Sequence, residues 1–223
     1  MLFGTGASSA RSDVGSGRQE ELSGLVNQEN RKVKAYDKQV EQLQRDVDRA
    51  SRTRARDDKV TAEAQRRSDD LGKTVGLEPV TGETVRISLD DAPRSRSRDP
   101  GSVPPDYLVV HQQDVQAVVN AMWVGGASAV QVMDQRLIST SAVRCVGNTL
   151  LLGGKVYSPP FTVTAVGDTD KLLAALGREP GVRLYKQYVD TYGLVYKVER
   201  LGTTTIPGYE GTLDLKHANG PSS

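Results

Sequence analysis

The single cysteine of the chain, Cys145, stands among hydroxyl side chains in the stretch STSAVRCVGN, where covalent chemistry would be sought first. A cysteine nucleophile needs a thiolate and an adjacent base, normally histidine. The sequence places neither of the two histidines, His111 and His217, beside the thiol. Cys145 shares its strand parity with Val143, which predicts a small side chain facing the core. A cysteine-dependent enzyme at Cys145 stays as the alternative.

Other signatures of catalysis and of cofactor binding are incomplete. The hydroxyls of Ser139, Thr140 and Ser141 lack the G-x-S-x-G turn that exposes a serine nucleophile. The GTG at residues 4–6 follows no strand and has no P-loop lysine. One cysteine and two histidines leave little for metal ligation. We therefore expect no catalytic residue, no cofactor, no metal and no small-molecule substrate, in a protein that is not an enzyme.

The composition argues against whole-surface binding to polyanions. The 223 residues carry 29 basic and 28 acidic side chains, a net charge of +1, so no overall field attracts nucleic acid or anionic lipid. Hydrophobic residues make up 37%, which is low for a wholly globular chain of this size, so part of the chain is expected outside the core. The sequence has no run of about 18 apolar residues and predicts no membrane span.

The first 20 residues are rich in glycine and serine, which predicts a flexible lead-in over residues 1–20. They begin with a short apolar stub and pass through small residues into polar sequence, MLFGTGASSARSD, as the outer end of a membrane anchor does. An ordinary N-terminus without structure has the same composition, and both interpretations stay open.

Valine recurs every seven residues between Val26 and Val47, with companion positions three residues away. The seam residues are Val26, Val33, Tyr36, Val40, Leu43 and Val47. A seam over about four heptads predicts a paired helix, and its β-branched residues favour a parallel two-stranded coiled coil. In such a pair, Lys32 would meet Asp37 of the facing helix. We assign residues 21–78 to a helical, coiled-coil stalk of a homo-oligomer; the alternative is that the stripe packs on the protein's own globular domain.

Charged side chains replace the apolar seam between Arg45 and Arg67, where eight basic residues are mixed with five acidic ones and no aromatic residue occurs. A nucleic-acid-binding arm is typically more densely basic and carries aromatics that stack on bases. A solvated helix is therefore expected, and nucleic-acid binding through this segment is a second alternative.

Residues 81–217 have the sequence of a globular α+β domain, and residues 218–223 are expected to be a disordered tail. Alternating Val85, Ile87 and Leu89 predict a half-buried strand. Apolar residues at helical spacing in 112–126 predict a helix that Trp123 anchors in the core.

Later segments predict a hairpin that turns at Gly153 and Gly154, a strand after Pro160, and a short helix capped by Asp168 or Thr169. Residues 182–200 predict a long extended segment that bends at Gly193. The expected fold class is α+β: an N-terminal coiled-coil helix, then an antiparallel sheet with two helices on one face, broadly ferredoxin-like.

Two sets of side chains predict an interaction surface. Tyr188 and Tyr192 share one face of the predicted strand, and exposed tyrosines suit protein recognition because each has a rigid apolar ring and a hydrogen-bonding tip. The polar loop APRSRSRDPGSVPPD adds Arg94, Arg96 and Arg98. Sheet packing of the tyrosines and simple solvation of the loop are the alternatives.

Motifs in the globular zone resemble a known family. The first helix holds QD and VVNA; QR, S, RC and GN follow in order; a SPPF corner comes next, and AVGD precedes the second helix. With GVRLYKQYVDTYGLVYKV, these motifs resemble the domain-of-unknown-function 881 family, the YlxW-like proteins of Gram-positive bacteria, over residues 20–217. The density of small apolar residues and arginine is similar to that of actinobacterial members.

The resemblance implies a location more than a chemistry. Proteins of this family typically carry one N-terminal membrane span, a coiled-coil stalk and an extracytoplasmic α+β domain, and some are encoded near cell-division and envelope genes. MLFGTGASSAR is similar to the segment that leaves their membrane helix. The resemblance implies a non-catalytic protein, tethered to the plasma membrane by a single span missing from this chain, that meets an unidentified envelope or divisome protein. It carries over no catalytic residue.

Overall fold

The computed structural model describes residues 9–55, 59–93 and 103–211. Two helices come first, α1 (Ser9–Ala55) and α2 (Lys59–Val75), in sequence rich in good helix formers and free of proline. Helix α1 begins within the 1–20 stretch that the composition assigned to a flexible lead-in. Residues 1–8 and the predicted tail, 218–223, lie outside the described residues.

Eight strands in the described part of the chain form two antiparallel sheets. They are β1 (Val80–Asp90), β2 (Ala129–Val132), β3 (Gln135–Arg136), β4 (Arg144–Val146), β5 (Thr149–Leu152), β6 (Lys155–Tyr157), β7 (Phe161–Val166) and β8 (Val195–Ile206). The larger sheet has the order β3-β2-β7-β1-β8, and the smaller one has the order β4-β5-β6. The predicted hairpin at Gly153 and Gly154 is confirmed as the turn between β5 and β6.

Three helices pack on one face of the larger sheet, where two were predicted: α3 (Gln112–Val124), α4 (Thr169–Arg178) and α5 (Pro180–Tyr192). Of the two predicted caps of α4, Asp168 is the one used, because its side chain accepts hydrogen bonds from the backbone of Asp170 and Lys171, and Thr169 begins the helix.

Helix α5 corrects the prediction that residues 182–200 are one bent extended segment. Pro180 stands in the first turn, where its missing N–H costs no hydrogen bond, and Val182 and Tyr185 fall three residues apart on the buried side. Gly193, with φ of 83°, is the left-handed stop of this helix and not a bend within a strand. Valine and tyrosine favour strands, and this preference hid the helical period.

The core lies between these helices and the sheet. Val85, Ile87 and Leu89 of β1 are completely buried there, which confirms the predicted alternation. The prediction that Trp123 anchors α3 in the core is wrong. The side chain of Trp123 is 42% exposed, and Met122 is completely buried instead. The buried stripe of α3 continues from Val118 to Met122, one turn later, which leaves position 123 about 100° off that stripe.

The opposite face of the sheet is partly covered by its own strand ends. A bulge between Thr84 and Val85 bends the β1–β8 ribbon, so that Ile206 packs beside Ala129 and Val166. Arg136 closes this region: it is buried, and its Nη1 donates to the carbonyls of Pro207 at 3.1 Å and Glu78 at 3.4 Å. Burial lowers the pKa of this guanidinium, whose Nε has no partner among the described residues.

Helices α1 and α2 run out from the globular domain and back. Asp37 and Val40 of α1 line the same cleft as Arg136, and Gly76, just after α2, also lies against Arg136. From Val40 to Ala55 a helix rises about 22 Å. Because α2 must return over a similar distance, the two helices lie antiparallel and in contact. The predicted 21–78 stalk therefore contains a reversal.

Two glycine substitutions test the helical state of α5. Gly193→Ala should destabilise the protein by about 1 kcal/mol, because alanine is strained at φ of 83°. Gly177→Ala, near the end of α4 with nothing within 4 Å of an added methyl, should stabilise it by about 0.5–1 kcal/mol. Urea unfolding followed by circular dichroism measures both changes. Shifts of the same sign in the two variants would contradict a helix that ends at Gly193.

Candidate interaction surfaces

Three tyrosines meet on the outside of the globular domain, and we call Tyr107, Tyr188 and Tyr192 the tyrosine surface. The Tyr107 ring lies edge-on to Tyr188 with centroids 5.7 Å apart, and it is 5.2 Å from Tyr192. Tyr188 and Tyr192 are themselves 5.2 Å apart. Tyr107 is 39% exposed and the other two are half-buried, so the rings form a continuous, partly exposed apolar patch.

Buried neighbours hold α5 in the position that brings the tyrosines together. Tyr185, one turn before Tyr188, is buried, and its hydroxyl donates to the carbonyl of Val195 at 3.0 Å. Burial, followed by the nearby charges of Asp114, Asp91 and Asp90, raises the pKa of this phenol. The hydroxyl of Tyr185 therefore remains protonated and keeps α5 tied to the start of β8.

Tyr107 is carried by a single 3-10 turn, Pro105–Leu108, between β1 and α3. The backbone N–H of Val110 donates to Asp91 at 2.8 Å, and the His111 ring lies 2.8 Å from the carbonyl oxygen of Asp106. The N–H of His111 donates to Asp114 at 2.8 Å, at the start of α3. Burial raises the pKa of Asp114, and this hydrogen bond offsets part of that effect.

A cavity of about 120 Å³ opens beside the tyrosine surface, between Tyr107 and Tyr188, with Leu184 and Leu194 in its wall. Cavities that hold cofactors or drug-sized ligands are typically about 300–1,000 Å³. This one accommodates a side chain of a protein partner better than a small molecule.

The structure joins Tyr188 and Tyr192 as predicted, but by a different route. They share a face because they are four residues apart on a helix, and not because a strand alternates. Tyr107 was missed, since nothing local in the sequence signals that it packs on α5. The predicted arginines of this surface, Arg94, Arg96 and Arg98, lie outside the described residues.

Helix α1 docks on the smaller sheet through polar contacts. The side-chain amide of Asn30 donates to the carbonyl of Val156 at 2.9 Å and accepts from the N–H of the same residue at 3.2 Å. About two helical turns further along, the carboxylate of Asp37 lies 2.7 Å from the Nζ of Lys155. Both partners belong to β6, one of the two edge strands of the smaller sheet.

The docking of α1 divides the predicted coiled-coil seam into residues that face the domain and residues that stay exposed. Val33 and Val40 are half-buried, on the side of α1 that faces the domain, whereas Tyr36, Leu43 and Val47 are 65%, 64% and 63% exposed. The side chain of Val26 lies outside the described part of the structure. Within the chain, Lys32 pairs with Glu29 at 2.7 Å, and Asp37 pairs with Lys155. The predicted Lys32–Asp37 pairing between helices thus competes with contacts inside one chain.

A cleft of about 400 Å³ separates α1 from the globular domain beside this docking site. Asp134, on its rim, accepts a short hydrogen bond from the hydroxyl of Tyr157. Burial alone raises the pKa of Asp134, but the bonds from Tyr157 and Gln135 outweigh it, and the pKa is lowered. Asp134 is therefore a charged acceptor that holds Tyr157 in place.

Cys145 is exposed, which contradicts its predicted inward orientation. Its strand, β4, is one of the two edge strands of the smaller sheet, and all three of its residues are exposed, so strand parity did not separate a buried from an exposed face. The backbone N–H of Gln112 donates to the sulfur at 3.1 Å, and the Cys145 N–H donates to Gln112 at 2.9 Å. Among the described residues, the thiol forms no hydrogen bond with a basic side chain.

The segment from Arg45 to Arg67 spans the end of α1 and the start of α2, and residues 56–58 lie outside the described residues. Arg49 pairs with Asp46 at 3.3 Å, and Arg67 pairs with Glu63. These pairs lie along each helix and are largely exposed, as expected for a solvated helix surface.

The described residues contain neither a metal site nor a membrane span. Over 9–55, 59–93 and 103–211, no three His, Cys, Asp or Glu side chains come together as a metal site. Among the helices in those ranges, none combines the length and apolar character needed to cross a membrane.

Residues 67–219 match the family described as "Bacterial protein of unknown function (DUF881)". The chain belongs to this family. The resemblance predicted from the QD, RC, SPPF and AVGD motifs is thereby confirmed, and the matched range includes the tyrosine surface and both sheets.

The chain is 36% identical over 108 residues to UPF0749 protein YlxW of Bacillus subtilis (strain 168), covering 48% of this chain and 45% of that protein. It is 26% identical over 163 residues to UPF0749 protein Rv1823 of Mycobacterium tuberculosis (strain ATCC 25618 / H37Rv), covering 70% and 53%. The chain thus spans about half the length of the curated relatives it matches.

The fold is similar to that of a solved structure, "Crystal structure of an uncharacterized conserved protein from Mycobacterium tuberculosis", with a TM-score of 0.51. The sequence identity is 24%, and the match covers 69% of this chain and 99% of the other. At this identity the similarity concerns the fold alone.

Proposed function

We propose that this protein is a non-catalytic assembly component of the bacterial cell envelope. Two copies pair through α1, and the tyrosine surface binds a second protein. The whole protein is tethered to the plasma membrane by one span, holds its globular domain outside the cytoplasm, and serves cell division or envelope biogenesis. The motifs of the family, whose members typically have this arrangement, support the location.

The exposed stripe of α1 is the observation that carries the proposal. Tyr36, Leu43 and Val47 are each more than 60% exposed, and they recur at the spacing of a coiled-coil seam. Large apolar side chains in a row on a solvated helix mark a surface that becomes covered by a partner. The same seven-residue spacing on a second copy supplies the matching surface.

Docking and pairing use different sides of α1. Asn30 and Asp37 face the smaller sheet, while Tyr36 and Leu43 project away from the domain. A second copy can therefore lie along the residues from Tyr36 to Val47 without displacing the first helix from its own domain. Pairing over this short stretch is expected to be weak, and closeness to other copies on a membrane would strengthen it.

The tyrosine surface supports binding to a protein rather than to a small molecule. Partly exposed aromatic rings that already contact one another lose little side-chain freedom when a partner covers them. Tyrosine also offers a hydroxyl at the rim of an otherwise apolar contact.

The finer fold assignment also belongs to this proposal. Strands β1, β2, β7 and β8 lie in the order β2-β7-β1-β8 in the sheet. Along the chain, α3 connects β1 to β2, and α4 with α5 connects β7 to β8. This order supports the broadly ferredoxin-like arrangement expected from the sequence, to which β3 and the smaller sheet are additions.

Lysine substitutions on the stripe test pairing. Leu43→Lys with Val47→Lys should abolish pairing through α1 and so weaken the self-association of the chain, because like charges would face each other across the helices. Gln42→Lys places the same residue type on the neighbouring, exposed position and should leave the dimer intact. Sedimentation equilibrium over a range of protein concentrations measures both. A wild-type chain that stays monomeric at the highest concentration would refute pairing through α1.

A photo-crosslinking amino acid tests the tyrosine surface in the natural host. Placed at Tyr188, it should form an adduct with one protein, and this adduct should disappear when Tyr107→Ala is added. Placed at Gln187, exposed on another side of the same helix, it should not form that adduct. Identical adducts from both positions, or an adduct that survives Tyr107→Ala, would count against a specific surface.

The single exposed thiol tests the compartment. A membrane-impermeant maleimide should label Cys145 on intact cells of the natural host, because the thiol is exposed in the folded domain. The Cys145→Ser variant controls for other labelled proteins, and the purified wild-type protein controls for reactivity. Labelling that requires cell lysis would place the domain on the cytoplasmic side.

A further inference from the structure

Strand β8 leaves one edge of the larger sheet open. It runs for 12 residues, Val195–Ile206, and pairs with β1 on one side; on the other side, no strand of the described residues pairs with it. The backbone N–H and C=O groups along such an edge are a template for another strand. A long exposed edge in a folded protein therefore requires either protection or a partner.

The side chains along this edge are both apolar and charged. Val195 is 40% exposed and Val198 is 37% exposed. Lys197 and Glu199 lie on the same face, 2.9 Å apart. Val198 pairs with buried Ile87 in the register with β1, so it lies on the helix-covered face, and the two charges lie on the opposite face.

We propose that β8 pairs antiparallel with β8 of a second copy of this chain, about a two-fold axis at Val198. In this register each Lys197 stands opposite Glu199 of the other copy, so one contact yields two ion pairs. Val198 meets its own counterpart on the other face, and Val195 stands opposite Leu201. Directly opposite side chains in an antiparallel pair are about 4.5–5.5 Å apart at Cβ, close enough for each of these contacts.

The charges select this register against its neighbours. An axis at Lys197 would put two lysines opposite each other, and an axis at Glu199 would put two glutamates opposite each other. An axis midway between two residues would set side chains from opposite faces of the sheet against each other, which antiparallel pairing does not allow. The edge is therefore self-complementary in one alignment and repulsive in the adjacent ones.

The bulge that bends the ribbon also limits the contact. Leu201 has no partner residue on β1, the next residue, Gly202, has φ of 67°, and the ribbon bends there. The pairing is thus confined to Val195–Leu201. It lies on a different element from the exposed stripe of α1, so the two contacts are independent.

Charge reversal in a background that cannot pair through α1 tests the proposal. The full chain with Leu43→Lys and Val47→Lys should still dimerise through β8 in sedimentation equilibrium. Adding Lys197→Glu or Glu199→Lys should weaken that dimer at least about tenfold, since both cross-strand pairs then join like charges. Arg183→Glu, which makes the same change in net charge as Lys197→Glu at an exposed position of α5, should have no effect.

Mixing the two reversed variants gives the decisive result. Lys197→Glu carries two glutamates on the edge and Glu199→Lys carries two lysines, so neither can restore the pair within its own chain. Their mixture should form a heterodimer of wild-type affinity. Three outcomes would each overturn the proposal. The background variant could be monomeric at every concentration, the single reversals could dimerise normally, or the mixture could stay monomeric. Because α1 pairing is absent from the background, these outcomes leave the proposed function standing.

Discussion

A single buried row of side chains on β1 positions the other elements of the globular domain. Val85, Ile87 and Leu89 are fully buried beneath α3, α4 and α5, while the backbone of β1 pairs with β7 and β8 on its two sides. Side chains alternate with a period of two, so a slip by one residue would bring Arg86 and Ser88 into the core. This constraint determines which side of β8 carries its charges and where the chain emerges to form the turn with Tyr107.

Local periodicity was a sound guide where one face of an element is buried and the other is wet. The alternation of β1 and the stripe of α3 could both be predicted, because each is dictated by a single nearby core. Helix α5 could not, since its valines and tyrosines favour strands and its helical period becomes decisive only beside the core that buries Tyr185. The prediction that Cys145 faces the core was wrong for a related reason: neither face of β4 is buried, so the alternation of its side chains carries no information.

Contacts between distant segments were beyond the sequence. The seven-residue repeat of α1 is visible in the chain, but its division into a docked and an exposed side depends on β6, more than a hundred residues away. Tyr107 joins Tyr188 and Tyr192 only because the core orients α5 beneath the turn. The interaction surfaces are thus products of tertiary packing acting on patterns that are ambiguous by themselves.

The side-chain amide of Asn30 takes the place of a neighbouring strand at one point of β6. Its amide both donates to and accepts from the backbone of Val156, in the manner of a neighbouring peptide group, and so closes the edge of β6 at that point. An acid there would present oxygen to a carbonyl, and a lysine would leave the N–H without an acceptor. Docking of α1 therefore requires a side-chain amide at this position, whereas the same position of an ordinary coiled coil accepts charged residues.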